Sequence, residues 1–133
     1  MKKFRVGCVG NGGMGTGHLE AYVKEADRVE IVALCDIVPA KMEKAKKKFG
    51  LDDVKCYTDY KEMIDQEDLD FVDICTPNYL HSIIAVDAFA AGKHVFCEKP
   101  DAINVEEVLK MDAAAKKAGR IFSARFAKYC PVV

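Results

Sequence analysis

Apolar and polar positions along this chain follow two spacings, one typical of buried strands and one typical of amphipathic helices. Short apolar runs rich in Val, Ile, Leu and Cys predict strands, and longer segments with apolar residues every three or four positions predict helices. The predicted strands are 4–9, 30–35, 54–57, 71–76, 94–97 and 121–126. The predicted helices are 13–26, 39–49, a short one that begins after Asp59, 80–91, and one between Asn104 and Gly119.

Residues that start and stop helices support several of these boundaries. Pro39 suits the first turn of the second helix, and Gly50 suits its end. Asp59 and Asn104 are each followed three residues later by a glutamate, which is the capping-box pattern. In the last helix, the side chains that we expect to face the core are Val105, Val108 and Leu109.

The regular alternation of strands and helices predicts an α/β fold. Strands that are apolar along their whole length are typical of a parallel sheet covered by helices on both faces. Right-handed crossovers then give a doubly wound sheet of the Rossmann type, with about six strands in the order 3-2-1-4-5-6. We expect residues 1–133 to form one such domain.

A glycine-rich turn between the first strand and the first helix suggests a ligand. Gly10, Gly12 and Gly15 fit the pattern G-x-G-x-x-G, which allows a tight turn, close approach of a pyrophosphate, and close contact between helix and strand. The phosphates would lie at a helix N-terminus, where the dipole favours negative charge. Asp36 lies 21 residues after Gly15, where a carboxylate can accept a hydrogen bond from a ribose hydroxyl. The turn therefore predicts a dinucleotide site.

Composition narrows the possible partners and compartment. The chain has 133 residues with a formal net charge of −1, so we expect neither nucleic-acid nor membrane binding. The apolar run 80–91 is too short to span a bilayer. The 6 cysteines are too far apart for a zinc site, so we expect no metal. Reduced cysteines and the lack of a secretory pattern at the N-terminus predict a cytoplasmic protein.

Two further segments lie at the ends of predicted strands, where open α/β sheets bind ligands. They are Cys75-Thr-Pro-Asn-Tyr-Leu-His81 and Cys97-Glu-Lys-Pro100. Together with the glycine turn and Asp36, they resemble the Gfo/Idh/MocA family of glucose–fructose oxidoreductase and inositol dehydrogenase. The resemblance covers essentially the whole chain, and its most specific part is Glu-Lys-Pro after the fifth strand.

The resemblance implies a role for each matching residue. Lys99 corresponds to the family lysine beside the reacting carbon, which makes it the candidate catalytic residue. Arg125 resembles an arginine of a family Arg-Phe segment, although Pro131 follows it later than in the family. The implied cofactor-binding residues, which include those of the glycine turn, are Gly10, Asn11, Gly12, Gly13, Met14, Gly15, Asp36, Thr76, Pro77, Asn78, His81 and Glu98.

The implied activity is hydride transfer between a nicotinamide and a sugar, cyclitol or related polyol. Asp36 favours NAD over NADP, although NADP remains possible because Lys41 is close in sequence. Family members also carry a second domain, which supplies much of the substrate pocket and a dimer-forming sheet. We therefore expect the full-length protein to be a homo-oligomer and this chain to be its cofactor domain alone.

Two other functions fit parts of the pattern. A stand-alone nucleotide-binding module that senses the redox state of NAD would need no second domain. A domain that binds CoA or S-adenosylmethionine could have the same architecture, but Glu98-Lys99-Pro100 argues against it.

Overall fold

The computed structural model describes residues 2–99, 102 and 104–125, and these form one α/β unit. The strands are β1 (Phe4–Val9), β2 (Val29–Cys35), β3 (Lys55–Tyr57), β4 (Phe71–Ile74), β5 (His94–Glu98) and β6 (Phe122–Arg125). The helices are α1 (Gly13–Lys24), α2 (Pro39–Phe49), α3 (Tyr60–Gln66), α4 (His81–Ala90) and α5 (Val105–Ala118), and a 3₁₀ turn (Asn78–Leu80) precedes α4.

The six strands form a single sheet in the order β3-β2-β1-β4-β5-β6, and every neighbouring pair is parallel. This confirms the predicted doubly wound fold and its strand order. The chain crosses from one half of the sheet to the other between β3 and β4, so β1 and β4 are neighbours at the centre. The carboxyl ends of these two strands border the crevice where such sheets bind ligands.

Alternating strand side chains supply two cores, one on each face of the sheet. Val6 and Cys8 of β1 pack with Leu19 of α1 and with α2. Val9 of the same strand joins the larger core, to which α3, α4 and α5 contribute. Burial on both faces explains why the strands read as continuous apolar runs rather than as alternating ones. No helix in the described ranges is long and apolar enough to cross a bilayer.

The helix ends predicted at Gly50 and Gly119 are confirmed, whereas α1 ends at Lys24, two residues before its predicted end. Gly50 and Gly119 both adopt the left-handed conformation, with φ of 65° at each. The Asn104 side chain accepts a hydrogen bond from the Glu107 amide at 2.9 Å, and Asp59 accepts one from the Lys61 amide at 2.9 Å. These caps satisfy backbone donors that the first turn of a helix leaves free.

The predicted inward face of α5 is wrong. Val105, Val108 and Leu109 are exposed, and Leu109 has 62% of its surface accessible. The buried positions are Met111 and Ala115, one helical turn apart. The error arose because α5 carries two apolar stripes, and contacts with α4 and the sheet, rather than the stripe's hydrophobicity, decide which one is buried.

Candidate functional site

The glycines of the turn between β1 and α1 have two different roles. Gly10 has a φ of 89°, and a Cβ on it would lie 2.6 Å from the Cys75 carbonyl oxygen. A Cβ on Gly15 would lie 2.0 Å from the carbonyl oxygen of Gly10. No atom lies within 4 Å of the place that a Cβ would take on Gly12 or Gly13. Gly10 and Gly15 thus permit the tight turn, and Gly12 and Gly13 leave the N-terminus of α1 open to a ligand.

Asp36 ties the end of β2 to this turn. Its carboxylate is buried and accepts hydrogen bonds from the backbone amides of Asn11 and Val38, each at 2.9 Å. The side-chain Nδ2 of Asn11 donates to the Cys35 carbonyl oxygen at 2.9 Å, while the Oδ1 of the same side chain is buried without a hydrogen-bond partner. Asp36 is thus fixed beside the glycine turn, and Asn11 retains an unused acceptor there.

His81 forms a hydrogen bond to the backbone of the segment that follows β4. The His81 side chain is buried, and its Nε2 donates to the Thr76 carbonyl oxygen at 2.8 Å. The Thr76 hydroxyl is buried without a hydrogen-bond partner. Pro77 precedes the 3₁₀ turn that begins at Asn78. His81 therefore orients the Thr76–Pro77 step and does not itself line the neighbouring cavity.

A cavity of about 460 Å³ lies between the glycine turn, the end of β2 and the segment after β4. The predicted residues that line it are Gly10, Gly12, Asp36, Thr76 and Pro77. Sequence reasoning missed most of its apolar wall, which includes Val9, Ile37, Val38, Tyr60, Tyr79, Leu80 and Ile84. The sequence signal that could have found part of this wall was a pair of apolar residues, Ile37 and Val38, soon after a predicted strand. Both side chains are exposed in the structure.

A second cavity of about 430 Å³ adjoins the glycine turn on the side of α2. Asn11, Gly12 and Gly13 line it on one side, and Lys41, Lys44 and Lys48 line it on the other. These lysines are exposed, but their spacing places them on the one face of α2 that borders the turn. Their positive charge therefore adds to that of the helix N-terminus beside them.

The remaining predicted residues lie outside both cavities. Met14 is exposed on the first turn of α1, and Lys99 is exposed directly after β5. Glu98 is buried at the end of β5, and strand pairing places it opposite Arg125 of β6. Pro100, Phe126 and Pro131 are outside the described residues, as is the Arg125 side chain.

A buried polar cluster around His18 was not predicted. The His18 ring contacts both carboxylate oxygens of Asp73 through Nδ1, at 2.8 and 3.0 Å, and Glu98 Oε2 through Nε2, at 2.7 Å. The Tyr22 hydroxyl donates to Asp73 at 2.8 Å, and the Cys75 thiol lies 3.3 Å from Nδ1. The sequence signal was a histidine and a tyrosine four residues apart on the buried face of α1.

The surroundings of this cluster favour the protonated forms of His18, Cys75 and Tyr22. Burial lowers the pKa of His18, but hydrogen bonds to Asp73 and Glu98 and their charges outweigh this and raise it above its usual value. Burial and the charge of Asp73 raise the pKa of the Cys75 thiol and of the Tyr22 hydroxyl. His18, Asp73 and Cys75 offer three ligand types within 4.8 Å of one another, yet zinc would need the thiolate that these surroundings disfavour.

Comparison with known proteins identifies the family. Residues 4–126 match the family model described as the oxidoreductase family with an NAD-binding Rossmann fold. The chain belongs to the Gfo/Idh/MocA family. It is 36% identical over 116 residues to inositol 2-dehydrogenase of Salmonella typhimurium, which covers 87% of this chain and 34% of that protein. It is 35% identical over 119 residues to D-apiose dehydrogenase of Paraburkholderia graminis, covering 90% and 31%.

Solved structures agree with this assignment. The WlbA dehydrogenase of Chromobacterium violaceum in complex with NADH and UDP-GlcNAcA superposes with a TM-score of 0.88 at 34% identity, covering 94% of this chain and 35% of that one. The scyllo-inositol dehydrogenase of Lactobacillus casei with bound NAD(H) and scyllo-inositol gives 0.84 at 28% identity, covering 92% and 36%. The chain thus spans about a third of the length of its relatives.

The residues of the glycine turn fit the cofactor of this family. The chain is an NAD-binding Rossmann domain, and the open backbone at Gly12 and Gly13 leaves room for a pyrophosphate at the N-terminus of α1. The buried and unpartnered oxygens of Asn11 and Thr76 are acceptors that a ligand rich in hydroxyl groups can satisfy.

Proposed function

We propose that the chain is the cofactor domain of an NAD-dependent dehydrogenase that oxidises a hydroxyl group of a sugar, cyclitol or related polyol. The names of the relatives support this substrate class, since they include dehydrogenases of inositol and apiose. Bound NAD would supply the hydride acceptor, while the protein binds and orients NAD and the substrate and excludes water from them. The open glycine turn beside the cavity is the observation that carries the proposal.

In this proposal, residues at the end of β2 bind the cofactor, and a residue at the end of β5 transfers the proton. Asp36 holds the end of β2 against the glycine turn, where it can accept hydrogen bonds from ribose hydroxyls. Lys99 follows β5, whose pairing of Cys97 with Ile74 brings the ends of β4 and β5 to the same edge of the sheet. The amine form of the Lys99 side chain would there accept the proton of the substrate hydroxyl as the hydride leaves.

The role of Lys99 is tested in the full-length protein with a panel of inositols and sugars. Lys99→Ala should lower kcat by about two orders of magnitude or more, as loss of an acid–base group does, with little change in NAD affinity. Lys117→Ala, which removes an exposed lysine on α5, is the matched control and should be neutral. A Lys99→Ala enzyme with normal kcat would refute the role.

We also propose that turnover requires a second domain. An apolar groove of about 400 Å³ lies beside β6, lined by Phe71, Phe96 and Ile121 among others, and it is a surface that such a domain could cover. The chain alone should bind NAD without turnover, since one domain leaves the reacting site open to water. Sustained NADH formation by the chain, above a Lys99→Ala control, would contradict this.

The proposal extends to compartment and assembly. No disulfide joins the cysteines that the structure describes, which suits the reducing cytoplasm. We propose that the full-length protein is a homo-oligomer that forms through its second domain. Sedimentation of the full-length protein and of the chain alone tests this, and a monomeric full-length protein would contradict it.

A further inference from the structure

The contacts of His18 require a proton on each side of its ring. Each nitrogen lies within 2.8 Å of a carboxylate oxygen, and two lone pairs facing each other at that distance would repel. Asp73 also accepts from the Tyr22 hydroxyl, so it is the ionised member. The other proton is shared between Nε2 and Glu98. Whichever atom carries it, the three groups His18, Asp73 and Glu98 have a net charge of −1.

Glu98 depends on this contact for its position. Its side chain is buried, and its Oε1 has no hydrogen-bond partner among the described residues. Its Oε2 lies 2.7 Å from His18 Nε2. A buried carboxylate that lost this partner would be left without compensation, and it would have to move towards water or take up a proton. A move of the Glu98 side chain towards water would displace the end of β5.

We propose that His18 is a positioning residue for Lys99: through its shared proton with Glu98 it fixes the end of β5 against the helix that begins at the glycine turn. His18 lies on α1 and Lys99 directly follows Glu98, so the contact joins the phosphate-binding end of the site to its proton-transferring end. The proposal rests on the function proposed above for Lys99.

The groups that face His18 come from four elements. Asp73 belongs to β4, Cys75 follows that strand, and Glu98 and Phe96 belong to β5, with the Phe96 ring centroid 5.5 Å from that of His18. Tyr22 on α1 and Cys8 on β1 lie behind Asp73. The thiols and the tyrosine stay protonated near neutral pH, so the proton shared with Glu98 is the one that titrates.

Imidazole NMR of the 133-residue chain tests the shared proton without any cofactor. We expect His18 to titrate above the ordinary value of about 6.5, and Glu98→Gln to lower that midpoint by about one unit or more. Glu20→Gln, an exposed change on the same helix, should leave it unchanged. Titration of His18 at the ordinary value, or no effect of Glu98→Gln, would overturn the proposal. Zinc retained by the wild-type chain and lost from His18→Gln would also overturn it.

Amide hydrogen exchange tests the positioning. His18→Gln should raise exchange at Cys97 and Glu98 by about tenfold and leave Val72, in the centre of the sheet, unchanged. Tyr22→Phe, which contacts Asp73 but not Glu98, is the control. Equal exchange at the end of β5, or a uniform increase across the sheet, would contradict the role.

The full-length protein separates this inference from the proposed function. His18→Gln should lower kcat by about tenfold, with NAD affinity within about twofold of wild type. An unchanged kcat in His18→Gln, in an enzyme that Lys99→Ala inactivates, would overturn the positioning role. An unchanged kcat in Lys99→Ala would instead refute the proposed function of Lys99, and with it the positioning of a catalytic group by His18.

Discussion

Gly15 lies against the carbonyl oxygen of Gly10 so closely that a Cβ on Gly15 would come within 2.0 Å of that oxygen. The oxygen belongs to the backbone, and the Cβ would be attached directly to the backbone Cα of Gly15. Neither atom can move away as the end of a flexible side chain would. This contact sets how tightly α1 follows β1, and it thereby places the N-terminus of α1 beside the cavity.

Substitution of Gly15 should be far more costly than substitution of Gly17 in the same helix. Gly15→Ala should lower the free energy of unfolding by about 1–3 kcal/mol or more, because the backbone must shift. Gly17→Ala has nothing within 4 Å of its Cβ and should raise it by up to about 1 kcal/mol through helix propensity. Urea unfolding of both variants measures this, and equal effects would contradict the close contact.

The His18 cluster makes stability depend on pH. The pKa of His18 is raised in the folded chain, so its pairing contributes fully below the unfolded value of about 6.5 and is lost as the pH rises through the folded value. The stability difference between wild type and His18→Gln should therefore shrink as the pH rises above about 6.5. Urea unfolding across this range measures it. A difference that is constant or grows with pH would argue against a charged or proton-sharing His18.

The fold and part of the site could be predicted because they depend on local chemistry. Gly10 needs a positive φ, Gly50 and Gly119 end helices, and apolar runs form buried strands wherever they occur. The order of the strands follows from right-handed crossovers, which are a general property of such sheets. Asp36 could be assigned to the site because its distance along the chain from the glycines reflects the length of one β–α–β unit.

The rest of the site depends on contacts between distant residues. His18, Asp73 and Glu98 come from three different elements. Asp73 lies 55 positions after His18 in the sequence, and Glu98 lies 80 positions after it. No local pattern indicates that they meet. The inward face of α5 was also beyond sequence reasoning, since both of its stripes are apolar and packing against α4 and the sheet selects one.

The two stripes of α5 should respond very differently to substitution. Leu109→Gln should change the free energy of unfolding by less than about 0.5 kcal/mol, since Leu109 is exposed. Met111→Ala should lower it by about 2–5 kcal/mol, because Met111 is fully buried. Thermal or urea unfolding measures both. A large loss from Leu109→Gln would show that this side of α5 is buried after all.

The charge at the end of β2 should set the choice between NAD and NADP. The Asp36 carboxylate would repel a 2′-phosphate, and Ile37 is 85% exposed beside it, so an arginine there needs no burial. We expect the chain to bind NAD more tightly than NADP, and Asp36→Ser with Ile37→Arg to reverse the order. Calorimetry with both cofactors measures this. Equal or tighter binding of NADP by the wild-type chain would contradict the assigned role of Asp36.

Calorimetric titration of the chain with NAD tests the central claim most directly, namely that the open backbone at Gly12 receives the pyrophosphate. Wild type and Gly17→Ala should bind NAD alike, and neither should bind CoA or S-adenosylmethionine as tightly. Gly12→Ala should fold as stably as wild type, since its Cβ meets no atom within 4 Å, yet it should bind NAD at least about tenfold more weakly. Wild-type affinity in Gly12→Ala, or no binding of NAD by the wild-type chain, would contradict the account.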